Sequence, residues 1–377
     1  TLAAEQKHAS SQFDLGSMYE YGKGVQQDYE TAIKWYTLAA EQGYPMAQTI
    51  LGSMYEYGKG VQQDYETAIK WYTLAAEQGY PMAQTILGNM YDFGKGVQQD
   101  YETAIKWYTL AAEQGNAVAQ RNVGSMYEYG RGVPQDYETA IIWYTLAAEQ
   151  GDASSQSVLG YKYEYGKGVP QDYETAIKWY TLAAEQGDAF SQCNLGTMYY
   201  FGLGVPQDYE TAIKWYTLAA EQGHAASQCH LGYMYELGEG ALQDYKTAIK
   251  WHTLAAEQKL AIAQHNLGSM YDKGLGVLEN HDDAIKWYTL AAKQGDADAQ
   301  ACLGTMYENG RGVLVDMQQA YMWFDLGDQG SQDDNAGSEA KLAAEKKEAI
   351  AKMMTPDQIA QAKDMSKKCL DSGYKDC

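Results

Sequence analysis

Cysteine and histidine side chains recur at a fixed spacing and are the first candidates for chemistry in this chain. Cys193, Cys229 and His265 stand 36 residues apart, and His230 follows Cys229. Thiols and imidazoles can bind zinc together or act as a nucleophile with its base. On successive packed helices, however, equivalent positions lie about 8 to 10 Å apart, which is too far for a disulfide and strained for a shared zinc ion. We predict no metal site and no cofactor, and interpret these residues as half-buried or partner-facing.

Carboxylates and glycine pairs are the other groups that could do chemistry. Glu56, Asp64, Glu66 and Glu77 recur many times at the same spacing, which favours solvated faces and helix caps over one catalytic pair. The repeated Gly-x-Gly-Val segment lacks the third glycine of a phosphate-binding loop. The chain has no G-x-S-x-G or H-E-x-x-H motif and no cysteine pair at zinc spacing. We therefore predict that the chain is not an enzyme.

The charge balance excludes two classes of partner. The 377 residues include 50 acidic and 28 basic side chains, which gives a formal net charge of -22. Nucleic acid and anionic membrane surfaces both require a basic footprint, so neither is a predicted partner. No stretch approaches the roughly 18 consecutive apolar residues of a transmembrane helix, so no membrane insertion is predicted.

The nine tryptophans reveal the elements that position these residues. They run from Trp35 to Trp323, and every gap between neighbours is 36 residues. Within each period, two stretches carry apolar residues at the helical spacing, for example 45–57 (helix A) and 65–78 (helix B). Asp64 is the predicted N-cap of helix B and Gly79 its stop. Such short helices cannot bury their apolar stripes alone, so neighbouring repeats must stack. We interpret the following constant residues as core: Leu51, Tyr55, Trp71 and Tyr72.

The residues that stay constant from period to period resemble a known repeat. They are Ala47, Leu51-Gly52, Tyr55, Gly58-x-Gly60-Val61, Asp64, Ala68, Trp71-Tyr72, Ala75-Ala76 and Gly79. This pattern is similar to the Sel1-like repeat, a relative of the 34-residue tetratricopeptide repeat that lacks the paired glycines. The resemblance implies an all-α fold, a right-handed α-solenoid superhelix of about nine 36-residue helix-turn-helix repeats. It also implies a bacterial protein that holds other proteins. Five departures from the pattern predict less regular packing: Lys7, Ala241, Lys259, Asn280 and the segment from Trp323 to Gly327, which lacks the alanine pair.

The two ends of the chain differ from the array. Residues 1–327 are the predicted repeat domain, and residues 328–377 are predicted C-terminal capping helices, over about 335–354 and from Pro356 to about Leu370. Thr355 and Gln358 have the spacing of a capping box for the last helix. The first six residues, Thr1 to Gln6, repeat the second half of a B helix. We therefore expect the sequence to begin inside a repeat, at a point where a signal peptide could have been removed.

Cys369 and Cys377 are a possible disulfide. They are eight residues apart and flank Gly373 in a tail that could bend back. Secreted, cysteine-rich Sel1-like proteins have a similar disulfide-forming cysteine pair in every repeat, whereas this chain has such a pair once. A disulfide implies an oxidising compartment, and two free thiols in a cytosolic tail are the alternative. We predict a periplasmic or secreted protein, with the cytoplasm as the alternative.

Helix A carries most of the variation between repeats. Its constant apolar positions and its variable positions point to nearly opposite sides when plotted at about 100° per residue. The resemblance implies that A helices line a concave surface, and we predict that the variable stripe is a partner groove there. Neutral drift on an exposed face is the alternative. The predicted binding residues are Met46, Ile50, Ser53, Tyr57, Met82, Ile86, Asn89, Phe93, Val118, Arg121, Asn122, Tyr129, Tyr165, Phe190, Asn194 and Phe201. Five of them form a predicted aromatic ladder: Tyr57, Phe93, Tyr129, Tyr165 and Phe201.

We predict that the chain is a non-catalytic scaffold that binds a protein or peptide on this face and prefers basic partners by charge complementarity. A glycan or peptidoglycan binder of the cell envelope, with tyrosine rings as sugar platforms, is the alternative. A hydrolase of the cysteine-rich Sel1-like kind is the third reading, although no nucleophile has a partnered base. The sequence carries no signal for an oligomeric state.

Overall fold

The chain is an α-solenoid of two-helix repeats, here in a computed structural model that describes residues 8–330, 337–375 and 377. Every regular element in this part of the chain is an α-helix, so the predicted all-α class is confirmed. The expected half-helix at Thr1 to Gln6, the departure at Lys7 and the start of the helix expected from 335 lie outside the described residues. The fold divides into two compact units, Thr1–Gln186 and Gly187–Cys377, which are described separately.

Unit 1 alternates A and B helices of equal length. The A helices are α1 (Ala9–Tyr21), α3 (Pro45–Tyr57), α5 (Pro81–Phe93), α7 (Ala117–Tyr129) and α9 (Ala153–Tyr165). The B helices are α2 (Tyr29–Glu41), α4 (Tyr65–Glu77), α6 (Tyr101–Glu113), α8 (Tyr137–Glu149) and α10 (Tyr173–Glu185).

Unit 2 continues the same alternation and ends in two further helices. Its A helices are α11 (Ala189–Phe201), α13 (Ala225–Leu237), α15 (Ala261–Lys273) and α17 (Ala297–Asn309). Its B helices are α12 (Tyr209–Glu221), α14 (Tyr245–Glu257), α16 (His281–Ala292) and α18 (Met317–Gly330). The last two helices are α19 (Ser338–Ala351) and α20 (Pro356–Asp371). Thr355 and Gln358 form the capping box of α20.

The ends of the repeat helices follow from local sequence. The Asp64 carboxylate accepts hydrogen bonds from the backbone N–H groups of Glu66 and Thr67 and so caps α4. Asn280 caps α16 in the same way, and Lys259 adopts the left-handed conformation that glycine takes elsewhere, with φ 67°. The helices on either side of Lys259, α14 and α15, keep the usual 13 residues, so the expected irregularity does not affect their bounds. The helix that Asn280 caps, α16, is one residue shorter, with 12 residues.

Each A helix packs closely on the B helix that follows it because a glycine faces an aromatic ring, which is a tyrosine except at His252 and Phe324. A methyl group added to Gly52 of α3 would lie 2.8 Å from the ring of Tyr72, which is fully buried in α4. Leu51 is also buried, whereas Tyr55 and Trp71 are half-buried. Trp71 packs against the core of the preceding repeat and thereby joins one repeat to the next.

Glutamine side chains connect successive helices through the buried interior. The Nε2 of Gln48 in α3 donates to the carbonyl of Ala40 in α2, 3.0 Å away. Its Oε1 accepts from Nε2 of Gln78 at the end of α4, at 2.7 Å. Because Gln48 is only 3% exposed, these bonds satisfy an amide that would otherwise be costly to bury. The same pair recurs as Gln84 with Gln114 and as Gln120 with Gln150.

A second set of buried bonds joins the two helices of one repeat to the turn after the next A helix. Glu56 at the end of α3 is 5% exposed, and its carboxylate accepts from the hydroxyl of Tyr72 at 2.7 Å. Lys95 of the next repeat donates to the other carboxylate oxygen at 2.6 Å. Glu20 has the same arrangement with Tyr36 and Lys59. The assignment of Glu56 to a solvated face is therefore wrong, because the adjoining repeat covers it and supplies its cation.

Candidate binding face

The exposed side of the A helices in unit 1 carries a row of aromatic rings. Each A helix ends in a ring that is between 55% and 69% exposed. The row is Tyr21, Tyr57, Phe93, Tyr129 and Tyr165. Lys95 lies over the ring of Tyr57 with its Nζ 4.9 Å from the centroid. The same lysine binds the buried carboxylate of Glu56. The Tyr57 ring therefore packs against a cation that an ion pair holds in place.

A groove of about 480 Å³ opens on this side between α3, α5 and α7. Eight of the sixteen predicted binding residues line it: Ser53, Tyr57, Ile86, Asn89, Phe93, Val118, Arg121 and Asn122. Glu56, Tyr72, Met90 and Lys95 complete its lining. The groove therefore combines exposed apolar groups at its rim with polar groups on its floor, the usual composition of a ligand-binding cleft.

Bonds within the protein hold the polar floor in place. The Oδ1 of Asn89 accepts from the hydroxyl of Tyr108 at 2.7 Å and from Nδ2 of Asn122 at 3.2 Å. The guanidinium of Arg121 donates to Asp152, 2.9 Å away. A partner that binds here meets amide and guanidinium groups whose orientation is already fixed, which lowers the entropy cost of binding.

The remaining predicted residues lie outside this groove. Met46 and Met82 are exposed near the starts of α3 and α5, and Ile50 is half-buried. Tyr129 and Tyr165 are exposed at the ends of α7 and α9. In unit 2, Phe190 is exposed and Asn194 is half-buried, whereas Phe201 lines a different groove. None of the predicted residues is fully buried.

Sequence reasoning missed this second groove, which lies in unit 2. It has a volume of about 490 Å³, and its walls are mostly apolar. Its lining is Tyr200, Phe201, Ala226, Cys229, His230, Tyr233, Leu260, Ile262 and Asn266. Tyr200 occupies the slot of Glu56, and Tyr233 occupies the slot of Ser53. The sequence feature that could have indicated this groove is the presence of tyrosine at two repeat positions that are polar in most other repeats.

Two thiols of unit 2, those of Cys229 and Cys302, are weakly reactive. The structure brings His265 next to Cys302 of the following repeat, with 4.0 Å between Nε2 and Sγ. Burial raises the pKa of Cys302 to about 12, and it raises the pKa of Cys229 to about 12 as well. Both thiols are therefore protonated at neutral pH and are poor nucleophiles. No group of three potential metal ligands occurs among the described residues.

The tail cysteines are joined in the structure. Cys369 at the end of α20 and Cys377 form a disulfide with 4.7 Å between their Cα atoms. Cys369 is fully buried against Tyr288, Met306 and Trp323, so the bond ties the last residues to the core of the final repeat.

Comparison with known proteins identifies the repeat. The Sel1 repeat profile matches nine consecutive segments: 9–44, 45–80, 81–116, 117–152, 153–188, 189–224, 225–260, 261–296 and 297–327. The chain belongs to the Sel1 repeat family. Sel1 repeat proteins are generally non-catalytic scaffolds for protein interactions, so the family supplies a class of function and no particular partner.

Two solved structures of bacterial Sel1 repeat proteins are similar to this one. The protective antigen c5321 of uropathogenic Escherichia coli, which has the same repeat fold, is 33% identical over 99% of this chain and 95% of its own, with a TM-score of 0.57. A Sel1 repeat protein from Oxalobacter formigenes is 36% identical over 80% of this chain and 88% of its own, with a TM-score of 0.62. The comparison with curated proteins found no match. No helix in the described part of this Sel1 repeat protein is long and apolar enough to cross a membrane.

Proposed function

We propose that this Sel1 repeat protein is a non-catalytic scaffold that binds a protein or peptide along the exposed side of its A helices. The observation that carries the proposal is the row of aromatic rings from Tyr21 to Tyr165 in unit 1. Aromatic residues dominate the energetics of protein interfaces, whereas the solvated face of a helix is usually charged. A groove with a fixed polar floor lies within the row and offers hydrogen bonds to a peptide backbone.

The charge of the protein favours a basic partner. With a net charge of -22, it attracts cationic segments and repels acidic ones. Long-range attraction of this kind accelerates association and is screened by salt. The association rate of the partner is therefore expected to fall as the salt concentration rises.

Removing three rings of the row is expected to abolish partner capture while the fold stays intact. In the variant Tyr57→Ala, Phe93→Ala and Tyr129→Ala, each lost ring is about two thirds exposed, so few core contacts change. Hot-spot truncations cost about 2 kcal/mol or more each, which weakens binding by several orders of magnitude if they add. The measurement is affinity capture of partners at low and high salt, with circular dichroism and thermal melting as controls for folding.

A matched control uses exposed residues of the B helices. Leu74, Leu110 and Leu146 are exposed on α4, α6 and α8, one in each of the same three repeats. Alanine at these three positions removes a comparable number of apolar groups from another face. Equal capture by both triple variants, or loss of capture in both, would show that the ring row is not the binding site.

A glycan or peptidoglycan binder is the second candidate, favoured by the spacing of the aromatic rings, since each repeat of unit 1 offers one exposed ring on which a sugar could stack. Binding of this type depends on the rings but hardly on salt. Retention on insoluble peptidoglycan at both salt concentrations would favour it over a protein scaffold. A hydrolase that uses Cys229 or Cys302 as its nucleophile is not favoured, because burial holds both thiols protonated.

The disulfide supports an envelope or secreted location, and its loss is expected to destabilise the C-terminal helices. Opening this short loop by Cys377→Ser should lower the free energy of unfolding of α20 by about 2 to 3 kcal/mol. Cys377 is the better residue to change, because Cys369 is fully buried. Hydrogen exchange of α20 with and without reductant measures the effect. Reductant should weaken only the unsubstituted protein, and equal exchange in all four samples would mean that the thiols are unpaired.

A further inference from the structure

The apolar groove of unit 2 is large enough to hold one bulky side chain and has mostly apolar walls. Phe201 and Ile262 stand on its rim and are each more than half exposed, while the thiol of Cys229 lies buried in its lining. Its volume of about 490 Å³ lies at the lower end of the range for small-molecule pockets. Exposed apolar walls around such a cavity indicate that burying them is favourable.

The titratable groups in the lining do not make the groove polar. Burial raises the pKa of Cys229 to about 12 and lowers the pKa of His230 below its ordinary value. The ring of His230 stacks on Tyr216, with 4.8 Å between the ring centroids. The Cys229 thiol and the His230 imidazole are thus neutral at physiological pH. Neither group offers a charged partner to a ligand.

A carboxylate is bound to one wall of the groove. The hydroxyl of Tyr200, whose ring lines the groove, donates to Glu239 at 2.7 Å. A ligand that places an apolar group in the cavity therefore meets negative charge beside it, which favours cationic neighbours on the ligand.

We propose that this groove takes one bulky apolar side chain, aromatic or branched aliphatic, from an extended segment of a partner whose adjacent residues are lysine or arginine. The apolar side chain fills the cavity between Phe201 and Ile262, and the basic side chain lies towards Glu239. The groove thus selects partner segments by an apolar anchor together with positive charge. This inference rests on the proposed function, because it specifies the partner at one place on the A-helix side.

Three labelled peptides test the selection on the full chain. The reference peptide is Gly-Ser-Gly-Lys-Phe-Lys-Gly-Ser-Gly; the second has serine in place of phenylalanine, and the third has glutamate in place of both lysines. Fluorescence anisotropy is expected to show at least tenfold tighter binding of the reference peptide than of either other peptide. Equal affinities for the phenylalanine and serine peptides, or for the lysine and glutamate peptides, overturn the proposal.

Substitutions at the rim locate the binding. The double variant Phe201→Ser and Ile262→Ser should lose at least tenfold in affinity for the reference peptide. Ile142→Ser, which changes a similarly exposed isoleucine on α8 of unit 1, should lose none. Unchanged affinity in the double variant would refute the assignment.

The outcomes separate this inference from the proposed function. A chain that captures a partner through the ring row of unit 1 but does not distinguish the peptides retains its scaffold function and loses only the pocket. A chain that selects the reference peptide at the pocket but captures no protein through the ring row retains only the pocket.

Discussion

Alkaline solution is expected to unfold the repeats cooperatively, beginning near pH 10. In unit 1 the B helices carry five tyrosines whose pKa is held well above its ordinary value: Tyr36, Tyr72, Tyr108, Tyr144 and Tyr180. Burial is the largest cause in each, and a neighbouring carboxylate adds to it. The folded repeats therefore keep these phenols protonated at a pH where the unfolded chain releases the protons.

The sign of the effect follows from that difference in pKa. Below the unfolded value of about 10, both states bind the proton, and stability is at its full value. Above it, the free energy of unfolding falls by about 1.4 kcal/mol per pH unit for each tyrosine that stays protonated only when folded. Five such groups give a slope of roughly 7 kcal/mol per pH unit. The pKa values of Lys59 and Lys95 are also raised, mainly by their hydrogen bonds to Glu20 and Glu56. Their deprotonation lowers the free energy of unfolding further as the pH rises. Since domains have only about 5 to 15 kcal/mol of stability, unit 1 should unfold within one or two pH units.

Absorbance of tyrosinate at 295 nm and circular dichroism at 222 nm, recorded together from pH 8 to 13, measure this transition. A late rise in absorbance should coincide with the loss of helix. Tyr72→Phe should make the dependence of stability on pH shallower, whereas Tyr57→Phe, at an exposed ring, should not. Full ionisation of all tyrosines with the helices intact would contradict the expectation.

The helices and their stacking could be predicted from sequence because the repeat supplies the same information nine times. The apolar spacing within 45–57 and the cap at Asp64 are local signals, and the helices Pro45–Tyr57 and Tyr65–Glu77 follow them closely. The burial of Glu56 could not be predicted, because it depends on contacts that are distant in the sequence. Its burial depends on Tyr72 and on Lys95 of the next repeat, and no local pattern contains that contact.

The exposed side of helix A could be predicted, but the division into grooves could not. Helical periodicity assigns Tyr57 to the exposed side of helix A and Leu51 to its buried side, because this pattern depends on one helix only. A groove requires side chains from three successive A helices, such as Ser53, Asn89 and Asn122, at a separation that the packing alone determines. The groove of unit 2 is lined by tyrosines that replace polar residues at two positions of the repeat, and only the packed structure shows that both line one cavity.

The turn after each A helix is the place where a single small substitution should weaken the contact between repeats most. Gly132 follows α7 and has a φ of +70°, and a methyl group there would lie 2.4 Å from the carbonyl oxygen of Tyr101 in α6. That atom is backbone at the start of a helix and cannot move without shifting the preceding repeat. Two costs therefore combine, about 1 to 2 kcal/mol for the left-handed conformation and about 1 to 3 kcal/mol for the overlap.

Gly132→Ala is accordingly expected to lower the free energy of unfolding by about 3 kcal/mol, and Gly151→Ala provides the matched comparison. Gly151 has a φ of +91° but nothing within 4 Å of an added methyl group, so its substitution measures the backbone cost alone, about 1 to 2 kcal/mol. Urea unfolding gives both values, and hydrogen exchange in α6 and α7 should rise only for Gly132→Ala, because only that change separates adjacent repeats. Equal losses in the two variants would mean that the turn yields to the methyl group, and that the close approach of Gly132 to Tyr101 does not hold the repeats together.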